Sequence, residues 1–161
     1  MPLLELPIGL PGKVFKSPMP FGDWDREGHL IQDYHGAKVS VIVVLAEDQE
    51  CLAKAGRSLR DLYEREGFEV IPMPIRDFSI PARHDLETAV DAAMHRVRAG
   101  ANVAVHCNAG IGRTGMFLAA FRKRAEGCTG EEAVAWIRQY IPNAVETPEQ
   151  RQLVCECFGA E

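Results

Sequence analysis

The chain has 161 residues, 47% of them hydrophobic and 25% charged, with a formal net charge of −5. That is the length of one domain, able to bury roughly 70% of its extended surface, and the balance excludes a disordered or fibrous chain. The acidic excess argues against general nucleic-acid binding, which needs a basic face.

In chain order, residues 1–22 hold five of the ten prolines, Pro2, Pro7, Pro11, Pro18 and Pro20. Proline fixes φ and restricts the residue before it, so an extended segment over the domain is expected, with a short strand near Lys13-Val14-Phe15. Trp24 follows in a turn, where it either packs over the domain or faces a substrate, and a short helical turn is expected between Asp25 and Tyr34. Lys38 to Leu45 reads as a strand whose consecutive apolar residues predict burial on both faces, as in a parallel sheet. Ala46 to Glu66 reads as one helix bent near Gly56, with Leu52, Leu59, Leu62 and Tyr63 as its apolar stripe. Phe68 to Ile75 is a second strand, and its prolines favour an edge.

A helix from Pro81 or Ala82 to Ala99 presents Leu86, Ala89, Val90, Ala93, Met94 and Val97 on one face. The strand Asn102 to His106 follows, then a tight loop and a helix from about Arg113 to Arg124. Thr129 with Glu132, and Thr147 with Pro148 and Gln150, are capping patterns that open two last helices. Trp136, Ile137, Leu153, Val154 and Phe158 read as core residues. The alternation predicts an α/β fold, a mostly parallel central sheet flanked by helices, and a single domain over residues 1–161.

Between the strand at 102–106 and the next helix, the loop places Cys107 and Arg113 with five residues between them, Asn108, Ala109, Gly110, Ile111 and Gly112. Unpartnered N–H groups at a helix N-terminus make an anion cradle. The same field favours a thiolate, the nucleophilic form of cysteine. Arg113 adds a planar fork of donors suited to two phosphoryl oxygens.

His106-Cys107-Asn108-Ala109-Gly110-Ile111-Gly112-Arg113-Thr114 resembles the His-Cys-five-residues-Arg-Ser/Thr signature of the cysteine-dependent protein tyrosine and dual-specificity phosphatases. The chain is similar to their small single-domain members, such as the cyclin-dependent kinase inhibitor 3-like group. Arg76-Asp77-Phe78-Ser79-Ile80-Pro81 resembles the family's general-acid loop, with Arg76 where proline precedes the aspartate in larger members. The resemblance implies the dual-specificity phosphatase fold and a two-step reaction. Cys107 attacks phosphorus, Asp77 protonates the leaving oxygen and later serves as base for water, and Arg113 with the loop N–H groups holds the phosphoryl oxygens. It implies that His106 supports the cysteine from behind. The Thr114 hydroxyl is placed to donate to the sulfur. Many relatives carry Gln-Thr-x-x-Gln for orienting water. Here the stretch is Glu146-Thr147-Pro148-Glu149-Gln150, in which Thr147 and Gln150 match, so Gln150 is the candidate and Glu146 is not.

The implied substrates are phosphorylated proteins, on tyrosine and also on serine and threonine, since no loop that walls a deep phosphotyrosine pocket is recognisable. No cofactor and no metal are implied, because loop and arginine supply the charge. Alternatives are a phosphoinositide or RNA 5′-phosphatase of the same superfamily and a non-catalytic phosphoprotein-binding module. The loop carries no lysine for multiply phosphorylated lipids, and all three principal catalytic residues are present. The five cysteines, Cys51, Cys107, Cys128, Cys155 and Cys157, follow no disulfide framework. The beginning lacks a signal-peptide pattern, and no apolar run reaches the roughly 20 residues of a membrane span. A cytoplasmic monomer that binds neither nucleic acid nor membrane is expected.

Overall fold

The apolar run at 39–45 forms the strand β3 (Val39–Val44), and its alternate side chains enter two separate cores. In the computed structural model, which describes residues 3–159, one five-stranded sheet carries those cores on its two faces. Its other strands are β1 (Leu4–Leu6), β2 (Val14–Ser17), β4 (Glu69–Pro72) and β5 (Asn102–His106), in the order β1-β2-β5-β3-β4. β2, β5, β3 and β4 are parallel, and β1 adds an antiparallel edge. The expected N-terminal strand is thus two strands. Pro2 lies outside the described residues.

Period two divides the central strands. Val41, Val43, Val103 and Val105 face one core, while Ile42, Val44 and Ala104 face the other. Each fully buried Val or Ile contributes about 1.5–3 kcal/mol relative to exposure. The first core is closed by α4 (Arg83–Arg98), α5 (Gly112–Glu126), α6 (Gly130–Arg138) and α7 (Pro148–Glu156). The second is closed by α1 (His29–Gly36), α2 (Asp48–Ala55) and α3 (Leu59–Arg65). All six apolar residues expected on α4 are buried. Both expected capping boxes form, at Thr129 with Glu132 and at Thr147 with Gln150.

Three expectations are corrected. The helix expected over 46–66 is two helices, because Gly56 takes a left-handed φ of 71° and Ser58 opens α3 by accepting from the Asp61 N–H. The break turns Cys51 and Ala55 inward, and Leu52, expected in the stripe, is 58% exposed. The helical turn expected between Asp25 and Tyr34 begins later, at His29. Gly28 offers no capping side chain, so the Asp25 carboxylate accepts from the His29 and Leu30 N–H groups at 3.0 and 3.1 Å. Trp136 and Phe158 are only half-buried, each covered by an arginine whose guanidinium carbon lies 4.8 Å (Arg122) or 4.6 Å (Arg124) from the ring centre.

The register decides where chemistry is possible. Ser17 pairs with His106, His106 with Val44 and Val44 with Pro72, so the parallel strands end level with one another. The loops at 18–28, 45–47, 73–82 and 107–111 therefore gather at one edge of the sheet, where open α/β sheets bind ligands.

Candidate active site

Cys107 leaves the end of β5 at the floor of this edge and is buried. Its Sγ accepts from the Gly110 N–H at 3.3 Å and from the Thr114 hydroxyl at 3.1 Å, the arrangement that suits an anionic sulfur. The loop closes tightly enough to demand glycine. Gly110 has φ +79°, and a Cβ there would stand 2.6 Å from the Ser17 carbonyl oxygen. Asn108 fastens the loop to its neighbour, its carbonyl accepting from the Met19 N–H at 2.9 Å. Ala109, Ile111 and Gly112 complete the lining.

Behind the sulfur, His106 is fully buried. Its Nδ1 lies 2.9 Å from the Cys107 carbonyl oxygen and its Nε2 lies 2.8 Å from the Tyr63 hydroxyl. Burial, with Arg113 adding to it, lowers the His106 pKa to about 4. The ring is therefore neutral near pH 7, with Nδ1–H donating to the carbonyl and Nε2 accepting from Tyr63, whose phenol burial holds in its protonated form.

Arg113 enters from the first turn of α5 and is 2% exposed. Glu50, in the first turn of α2, accepts from both terminal nitrogens at 2.8 Å, and the Ile75 carbonyl accepts from Nη1 at 2.8 Å. Asp77 Oδ1 stands 3.3 Å from Nη2. Burial opposes the charge, but the Glu50 bonds and the charges of Cys107, Glu50 and Asp77 outweigh it and raise the pKa above the ordinary arginine value. The Arg113 Nε–H is buried without a partner, as is the Asn108 side-chain oxygen. An orphaned donor beside a nucleophilic sulfur is a place for an anion's oxygen.

Asp77 is half-exposed on the loop after β4, with Oδ1 also accepting from the Phe78 N–H at 3.0 Å. Cys107, Arg113 and Asp77 line one cleft of about 180 Å³, with Trp24, Phe78 and Glu146 at its mouth. Trp24 lines this cleft and is 56% exposed, so it does not take the role of a buried packing residue over the domain.

Gln150 does not reach the cleft. It is fully buried, its Oε1 accepts from the Glu146 and Thr147 N–H groups at 2.8 and 3.3 Å, and its Nε2 donates to the Ser79 carbonyl at 3.5 Å. The side chain is spent on capping α7 and bracing the Asp77 loop. Glu146 takes the position at the cleft instead. Burial first, then the Asp77 charge, raises the pKa of its carboxyl.

Two further residues had no signal in the sequence reading. Glu50 could have been suspected only as an acid in the first turn of a helix that follows a central strand. Lys16 on β2 donates from Nζ to the Gly110 carbonyl at 3.0 Å, adding positive charge beneath the loop. Its burial lowers its pKa and the Cys107 charge raises it, with the net shift downward.

A buried cysteine and a forked arginine meet around an anion cradle at the C-terminal edge of a parallel sheet, a cleft suited to holding a phosphoryl group. The family described as "Polymorphic toxin system, DSP-PTPase phosphatase" matches residues 30–126, and the chain belongs to that DSP-PTPase family of phosphatases. Among relatives, the dual specificity protein phosphatase CDC14C of Symphalangus syndactylus is 31% identical over 127 residues, 77% of this chain and 23% of its own length. The tyrosine-protein phosphatase CDC14 of Candida albicans is 31% identical over 91 residues, 56% of this chain and 17% of that protein. The chain thus spans about a fifth of the length of these relatives. The crystal structure of Tk-PTP in its active form is 34% identical, with a TM-score of 0.77 over 89% of each chain. Among the described residues no helix is long and apolar enough to cross a membrane.

Proposed function

We propose that the chain hydrolyses phosphate monoesters on tyrosine, and on serine and threonine, of proteins through a cysteinyl-phosphate on Cys107. The observation that carries this reading is the buried, unpartnered Arg113 Nε–H in the same cleft as a Cys107 sulfur that already accepts two hydrogen bonds. A phosphoryl group bound there gives its oxygens to Arg113 and to the N–H groups of 108–113, with phosphorus in front of the sulfur. The thiolate forms the S–P bond as the P–O bond to the leaving group breaks, and Asp77 protonates that oxygen. Water then displaces the sulfur. His106 and Thr114 hold the cysteine, and Gln150 acts at one remove by bracing the loops.

A cleft of about 180 Å³ bordered by the exposed Trp24 and Phe78 suits the short serine and threonine phosphates as well as tyrosine phosphate. Acidic Asp77 and Glu146 at that mouth disfavour polyanionic lipid headgroups. We assign this activity to one catalytic domain acting as a cytoplasmic monomer, where reducing conditions suit five free cysteines.

The test is phosphate release in EDTA from matched phosphotyrosine, phosphothreonine and phosphoserine peptides and from a phosphoinositide, with Cys107→Ser as the blank. Release from tyrosine and threonine peptides, lost in C107S, is expected. Release from the lipid alone, or release that survives C107S, would overturn the reading.

A further inference from the structure

The backbone at 144–147 is held in an unfavourable shape whose outcome is the placement of one carboxyl group. Val145, a β-branched residue, has φ +60°, where a non-glycine residue is strained by about 1–3 kcal/mol. Arg138 clamps the bend by donating from Nε to the Ala144 carbonyl and from Nη2 to the Val145 carbonyl, both at 2.9 Å. Gln150 holds the next two N–H groups. Room for the bend comes from two glycines of α5. A Cβ on Gly115 would stand 2.4 Å from the Ala144 Cβ, and one on Gly112 would stand 1.9 Å from Glu146 Oε1. The Glu146 carboxylate therefore lies directly over the start of α5 and lines the cleft with Cys107.

The two carboxyls of the cleft differ in their ties. Asp77 Oδ1 is engaged by the Phe78 N–H and by Arg113. The Glu146 carboxylate makes no hydrogen bond or ion pair with any described residue. The titratable groups facing it are Asp77 from the loop after β4 and Cys107 and Arg113 from the phosphate loop. Partial burial, then the Asp77 charge, raise the Glu146 carboxyl above the ordinary carboxylate range, and Arg113 opposes them only in part. Resemblance to the family hands both proton transfers to one aspartate, whereas this cleft holds two carboxyls with different surroundings.

We infer that Glu146 is the general base of the second step, while Asp77 is the acid of the first. The inference rests on the cysteinyl-phosphate reading. Water attacks the phosphorus of the phosphocysteine. A P–O bond forms, the S–P bond breaks with its electron pair returning to Cys107 as thiolate, and the water proton passes to the Glu146 carboxylate. A turnover leaves Asp77 deprotonated and Glu146 protonated, and exchange between them or with solvent restores the starting state.

The experiment follows a ³²P-labelled phosphotyrosine peptide by rapid quench with wild type, Glu146→Gln, Asp77→Asn and Cys107→Ser. Glu146→Gln preserves shape at an exposed position and removes only basicity, so folding is not at stake. It should accumulate labelled enzyme, with the decay of the label slowed roughly 100-fold and no longer rising with pH through the carboxylate range. Its rate of label formation should stay within about twofold of wild type, since ordinary substitution effects away from the reacting step are small. Asp77→Asn should slow formation and spare decay. Equal slowing of both steps in E146Q, or slowed decay in D77N with E146Q silent, would overturn the assignment. If label accumulates in no variant, E146Q has not slowed the second step and the inference falls. If C107S also turns over, the cysteinyl reading falls with it.

Discussion

Glu50→Ala and Glu50→Gln probe the contact that aims Arg113. In the wild type the guanidinium is 2% exposed and rests on two hydrogen bonds of 2.8 Å to Glu50, one of 2.8 Å to the Ile75 carbonyl and a longer approach of Asp77 at 3.3 Å. Each charge-assisted bond is worth about 1.5–3 kcal/mol, and the Glu50 side chain is 16% exposed, so part of that value is returned by water. Alanine should therefore destabilise by about 3 kcal/mol, less than the most severe losses from an unpaired buried charge. For a chain of this length that corresponds to a fall in Tm of roughly 6–12 °C. With its brace gone the guanidinium swings toward Asp77, and kcat/KM should drop about 100-fold, equivalent to about 2.7 kcal/mol of transition-state stabilisation. Glutamine, which retains one acceptor, should lie between wild type and alanine. The assays are thermal denaturation with and without inorganic phosphate, and kcat/KM on a phosphotyrosine peptide. Saturating phosphate should recover part of the lost Tm by supplying the missing negative charge. A Glu50→Ala protein with wild-type Tm and kcat/KM within about twofold of wild type would show that the Ile75 carbonyl alone suffices to orient Arg113.

Two other predictions concern the loop and the residue behind it. Gly110→Ala forces a Cβ to 2.6 Å from the Ser17 backbone oxygen at φ +79°, and backbone cannot step aside as a flexible side chain would. It should destabilise by about 1–3 kcal/mol and reduce turnover by more than tenfold; unchanged melting would refute the close approach. His106 has its pKa lowered from 6.5 to about 4 by burial, so between those values the unfolded chain binds more protons than the folded one. Its contribution is fully present above pH 6.5 and is lost as pH falls toward 4, a change on the order of 3 kcal/mol at 1.36 kcal/mol per unit. Urea unfolding between pH 7 and pH 4 should show this loss and His106→Gln should flatten it; equal slopes in the two proteins would refute the assignment.

What could be read without coordinates is what depends on neighbours in sequence. Cys107 and Arg113 announce themselves because a turn of five residues brings them to one cleft, whatever surrounds it. The capping boxes at Thr129 and Thr147 and the buried face of α4 are equally local, set by helical spacing. The parallel character of the sheet was legible in the unbroken apolar run of β3, since only a strand covered on both faces tolerates it.

Tertiary structure decided everything that required two distant segments to agree. Glu50 meets Arg113 across 63 residues because β3 and β5 end level, and nothing in the stretch around Glu50 distinguishes it from a solvated helical acid. Lys16 comes under the loop at 107–111 through the register of β2 with β5, and Trp24 turns to the cleft because the loop after β2 opens on the same edge. The exchange of places between Gln150 and Glu146 is the clearest case. A motif comparison weighs residue types, but the capping of α7 consumes the glutamine, and the strained bend at Val145 sends the glutamate over Gly112. Local sequence determined that Cys107 and Arg113 share one short loop; the register of a parallel sheet, which no short stretch encodes, determined which charges surround them.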